Sequence, residues 1–103
     1  MINWAFIFKS DGCSAKRDHT ILNHCEDRLF IYGVDTVEEG IEVAKRLIAE
    51  ENCSLIELCG GFGEEGAKRI IEAIDGKICV GHIAYLPGEQ EKFRAYKQAN
   101  QLI

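Results

Sequence analysis

Three residues of the types that build a nucleophilic site fall near one another in the second half of the chain. They are Cys59, at the end of the apolar run SLIELC, Glu57 two residues before it, and His82 in the run KICVGHIAYL. A thiol that ends a strand just ahead of a helix start occupies a position where reactive cysteines are found. With His82 as base and Glu57 as the group that orients it, the three would form a thiol-dependent catalytic set. That chemistry requires the two strands to be neighbours and all three side chains to reach one side of a sheet.

The segment that follows, CGGFGEEGAKR, contains the string GxGxxG as Gly61, Gly63 and Gly66. In dinucleotide-binding folds such a string turns a strand into a helix whose N-terminal N–H groups hold a pyrophosphate. Three features oppose that reading here. The string lies in the last crossover, with no second nucleotide-binding half after it. Ala84, Tyr85 and Leu86 stand where an acidic ribose ligand is expected, about 20 residues past the glycines. Glu64 and Glu65 fill the first helical turn, where their charge repels a phosphate. What remains is a choice between a structural turn and a small-molecule pocket. The pocket would be lined by Gly60, Gly61, Phe62 and Gly63, with Lys9 and Asp11 after the first strand, Tyr32 on the second and Tyr85 on the last. Phe62, on a glycine turn, is expected to be exposed as a lid or an oligomer contact.

Other polar residues are less ordered in their spacing. Cys13, His19, His24 and Cys25 are soft-ligand types, but they lack the paired CxxC or HxxxH form of a zinc site, so no metal and no cofactor is assigned. SDGCSAKRDH reads as a long polar loop beginning with an Asp11-Gly12 turn.

The elements that must position these residues follow from periodicity. INWAFIF, 2 to 8, is a short β-rich run ended by KSDG. Residues 20 to 24 and 28 to 34 are two further β-rich pieces separated by Cys25 to Asp27, which predicts a hairpin. Asp35 and Thr36 each precede a Glu by three residues, the capping-box spacing, and Val37, Ile41, Ala44, Leu47 and Ile48 then share one helical face. This predicts a helix over 36 to 51. A strand at 54 to 59 leads through the glycines to a second helix opening near Glu64, with Ala67, Ile70, Ile71 and Ile74 on its apolar stripe and Gly76 at its end. The last strand is read at 77 to 86. Pro87 and Gly88 break it, and Phe93, Tyr96, Ala99 and Ile103 give the terminal segment a narrow helical face.

The fold class is therefore α/β: one small domain over 1–103, in the order ββ(β)αβαβα, with three helices and a mostly parallel sheet of four to five strands. The last three strands are expected to be its parallel core, with the first strand and the hairpin arm at the edges. Three helices cannot cover both faces of such a sheet, and parallel sheets are usually buried on both. An oligomer, most simply a homodimer, is the expectation.

Composition narrows the partners. A net charge of -5 gives an acidic surface that repels nucleic acid. The opening MINWAFIFKSDG has neither a basic n-region nor an apolar run of spanning length, so no membrane association and a cytoplasmic location are expected. Five cysteines, an odd number, are read as reduced thiols.

LIELCGGFG, with the helix IIEAIDGK and a strand carrying VG, resembles a family of small bacterial and archaeal proteins of unknown function, along the whole chain from AFIF onward. The resemblance implies a stand-alone α/β domain and brings no activity, cofactor or catalytic residue with it. On these grounds the function is open. The leading expectation is a small-molecule pocket around Cys59 to Gly63, against a thiol-dependent enzyme and an assembly module without ligand.

Overall fold

The computed structural model describes residues 1–101, so Ile103, expected on the last helical face, lies outside the described residues. The strands are β1 (Asn3–Lys9), β2 (His19–His24), β3 (Asp27–Val34), β4 (Leu55–Leu58) and β5 (Cys79–His82). The helices are α1 (Val37–Glu51), α2 (Gly63–Ala73) and α3 (Pro87–Ala99). All five strands form one sheet in the order β2-β3-β1-β4-β5, parallel except for β2, which runs antiparallel to β3.

The first strand is central rather than at an edge. β1 pairs with β3 on one side and β4 on the other, in register Phe6 with Ile31 and Phe6 with Glu57. An unbroken apolar run suits such a position, because a central parallel strand has no wet edge. β5 is shorter than the expected 77 to 86. Its last ladder contact is Ile83 N–H to Leu58 O, and β4 ends there, so Ile83 to Leu86 continue as an arm outside the sheet.

Alternation along the strands sorts their side chains to two faces. Ala5, Ile7, Phe30, Val34, Ile56 and Leu58 are fully buried beneath Val43, Ala44 and Leu47 of α1 and Ala67 and Ile70 of α2. The capping box forms in part: Thr36 Oγ1 accepts from the Glu39 N–H at 3.1 Å, while the Glu39 carboxylate turns back to Asp35 N at 2.8 Å. On α2, Ile71 is exposed and not on the buried stripe, which runs Ala67, Ile70, Ile74. The other sheet face, Trp4, Phe6 and Phe8 with Leu29, Ile31 and Leu55, is only half-buried and has no helix over it. α3 buries no residue at all. The radius of gyration is 14.1 Å, against about 13 Å for a compact chain of this length.

The hairpin joining β2 and β3 turns through Cys25 (φ 45) and Glu26 (φ 71), both left-handed, as a two-residue hairpin loop demands. Neither is glycine or asparagine, so the turn carries strain of about 1 kcal/mol or more per residue. Replacing the pair by Asn-Gly (C25N with E26G) is expected to stabilise the protein by about 1 kcal/mol, after allowance for the extra freedom glycine gives the unfolded chain. Urea titration of both proteins checks this; an unchanged midpoint would mean that the turn is not strained.

Candidate functional site

The loops after β1 and β4 leave the sheet in opposite directions. β1 leads to the hairpin on one side of the sheet, and β4 leads into α2 and on to β5 at the other. Such a divergence at the carboxyl ends of parallel strands is where open α/β sheets bind ligands. Cys59 sits in it. Its Sγ accepts the Lys9 N–H at 3.2 Å and the Gly61 N–H at 3.3 Å, and its own N–H donates to Ile7 O at 3.1 Å.

The glycine segment is built mainly for packing. Gly60–Phe62 form a single 3-10 turn, and Gly63 follows at φ 65, ψ 178, a conformation open essentially only to glycine. A Cβ on Gly61 would lie 3.0 Å from Lys9 O and 3.3 Å from Cys59 Sγ. Phe62 is neither lid nor contact surface: it is 5% exposed, with its ring against Gly40 of α1 and its Cβ against Gly66 of α2. A Cβ on Gly40 would stand 3.0 Å from that ring. Two of the three glycines in the string thus make room for the turn's own chain, and the third supplies a positive φ.

The remaining expected residues divide. Gly60, Gly61, the Lys9 backbone and Tyr85 do gather around Cys59, with the Tyr85 ring 3.6 Å from a Cβ placed on Gly60. Tyr32 does not. It lies on the helix-covered face two strands from β4, stacked on the His19 ring at 5.0 Å with the Arg46 guanidinium 5.6 Å away. Asp11 is exposed at its turn, next to Gly12 at φ 87. Glu57 and His82 do not assemble with Cys59 as a catalytic set. Glu57 is exposed on the open face in register with Gly81, whereas His82 pairs with Leu58, whose side chain belongs to the opposite, helix-covered face. Strand alternation separates them.

The soft-ligand residues also stand apart: Cys13 and His19 lie at one end of β2, His24 and Cys25 at the other. His24 is taken up by Trp4, whose indole N–H donates to its Nε2 at 3.2 Å. Among the described residues no group of three His, Cys, Asp or Glu is placed to hold a metal. Burial raises the Cys53 thiol above its ordinary value, and desolvation with the Asp18 charge raises Cys13.

The loop between β1 and β2 is a pinned structure. Gly12 N donates to Asp35 Oδ1, Ala15 N to Glu39 Oε2 and Ser14 N to Asp18 Oδ2, each at 2.9 Å. It walls a polar cleft of about 350 Å³ lined by Lys16, His19, Glu39, Glu42 and Arg46. No spacing in the sequence announces this cleft, because it exists only once the hairpin register sets His19 opposite Tyr32.

Across residues 2–98 the chain matches the model of a family described as "Family of unknown function (DUF6506)". It belongs to that family. No curated protein and no solved structure matches it. Among the described residues no helix is long and apolar enough to cross a membrane.

Two measurements probe this edge. Serine at position 59 can accept the same two N–H groups and is expected to keep the turn, whereas Cys59→Ala leaves them without a partner and should cost about 1 kcal/mol; thermal unfolding of both variants decides, and equal melting of Ala and wild type would refute a structural role for the sulfur. The Arg17 hydrogen bond first, and the Ser14 N–H next, hold the Asp18 carboxyl below its ordinary 3.8. A carboxyl depressed in the folded state stabilises above its unfolded value and loses that contribution as pH falls through 3.8 and below. Amide exchange at Ser14, corrected for its intrinsic pH dependence, should therefore lose protection on acidification below about pH 4, and Asp18→Asn should abolish that step.

Proposed function

We propose that this protein works as a self-associating α/β module whose open sheet face is its contact surface. One observation carries the reading: a mostly parallel sheet with helices on a single face leaves Trp4, Phe6, Phe8, Leu29, Ile31 and Leu55 together and only half-buried on the other. Contiguous exposed apolar surface of this kind marks interaction sites. Asp27, at the end of β3, is taken up by the Ile2 N–H, whereas Glu57 sits beside Phe6, where it gives an otherwise greasy face a polar point of registration. Five unpaired thiols fit a reducing compartment, and we place the protein in the cytoplasm.

A second reading has its own support. Cys59 Sγ, held by two backbone N–H groups where β1 and β4 diverge, with Tyr85 alongside, makes the carboxyl edge the place for a small ligand. It supplies a binding position rather than a catalytic set.

Native mass spectrometry with sedimentation at micromolar concentration tests both. The expected result is a homodimer that Phe6→Lys converts to monomer without loss of secondary structure. A wild-type monomer up to about 100 μM, above the weakest affinity expected for a specific assembly, would overturn the module reading. Extra mass that vanishes on denaturation and is lost in Cys59→Ala would support the ligand reading, and a clean spectrum across metabolite-soaked samples would remove it.

A further inference from the structure

The open face has a natural occupant within the same sequence. α3 leaves the domain on the arm Ile83 to Leu86 and buries none of its residues, yet it carries an aromatic stripe. Phe93 stacks on Tyr85 at 4.4 Å and on Tyr96 at 6.4 Å, and Tyr96 is 56% exposed. A 13-residue helix is about 20 Å long and about 10 Å wide. Laid across the strands, α3 is long enough to span the row Ile31, Phe6, Glu57 and Gly81, which stand side by side on β3, β1, β4 and β5 at about 4.8 Å per strand.

Charge agrees with shape. Residues 87–103 carry three basic and two acidic side chains, while residues 1–86 carry nine and fifteen. Lys97 lies over the Phe93 ring at 4.9 Å, on the aromatic stripe itself, and Glu57 is the carboxylate at the middle of the face. A basic group on the helix thus meets an acid on the sheet.

Gly81 is a further, separate sign. It sits in β5 on the open face, in register with Glu57, and its φ is not positive. A Cβ there would meet nothing within 4 Å in its own chain. A strand glycine with open space above it is a position where another backbone can approach closely.

We propose that α3 docks on the open sheet face of a second copy, each protomer of a homodimer lending its C-terminal helix to the other, with Phe93 and Tyr96 against Phe6 and Ile31, Lys97 near Glu57, and the helix backbone passing over Gly81. The proposal rests on the self-association reading and names its partner surface. Exchange of a terminal helix on a short arm is a low-cost route to a symmetric dimer.

Full-length wild type, the double variant F93E with Y96E, G81V and F6K are compared by sedimentation across a dilution series. Within its own chain Phe93 stacks on Tyr85 of the arm and α3 buries no residue, so the double variant leaves the core in place, and G81V puts its side chain in open space. The expected result is a wild-type dimer, with both the α3 double variant and G81V weakened at least 100-fold while their circular dichroism is retained. A dimer that F6K disrupts but the α3 variants and G81V leave intact overturns the exchange and keeps the sheet-face reading. A monomeric wild type overturns both, including the case in which α3 folds back over its own sheet.

Discussion

The Phe62 ring, wedged between α1 and α2 above the end of β4, is the contact on which the remaining architecture depends. It closes the turn that follows Cys59, sets α2 against α1 through Gly40 and Gly66, and places the first turn of α2 at the carboxyl edge. Burying one phenylalanine contributes a few kcal/mol at most, about 1.5–3, but its geometric effect is larger. Each glycine around it removes a methyl that would push a helix away. Around this wedge the core closes on one side of the sheet only. Ionic contacts between the helices add little: Arg69 beside Glu38 holds that carboxyl below its ordinary range, but the pair is exposed and screened.

A one-sided core dictates the character of the other side. The same strands that bury Ala5, Ile7, Ile56 and Leu58 must, by alternation, present Trp4, Phe6, Leu55 and Glu57 opposite them. A half-exposed antiparallel sheet would carry polar residues there; β1 carries three aromatics instead. The face is therefore apolar in composition and only half-buried within the domain. The loop after β1, pinned at the strands' end by Asp35, Glu39 and Asp18, reaches one corner of it, where Cys13 Sγ stands over Gly33 beside Phe8.

Much of the fold was legible because helix and strand periods differ. The stripe of α1, that of α2 apart from Ile71, the capping box at Thr36 and the parallel βαβ units were readable from spacing. The central place of β1 was not, because strand order is a property of pairing, and two short crossovers fit more than one arrangement. The same ambiguity misled the reading of the site. Cys59, Glu57 and His82 are close in the sheet, but which face His82 shares depends on a register that no local spacing contains. Phe62 looked exposed because glycine-rich turns usually are; its burial is visible only against Gly40, which is 22 positions earlier in the chain.

The glycine string illustrates why residue type alone is a weak guide to chemistry. In a phosphate loop, glycines clear space for a ligand to approach the backbone. Here Gly61 and Gly66 clear space for Lys9 O, Cys59 Sγ and Phe62, atoms of the protein itself. The distinguishing observation is what a missing Cβ would strike. By that criterion Gly81, at an open-face position inside β5, differs from Gly61 and Gly66, since a Cβ there would strike nothing in the protomer. Space left empty by the chain's own packing, beside half-buried aromatics and a helix that buries no residue, ties the unexplained features of this protein to one surface rather than to the string that first draws the eye.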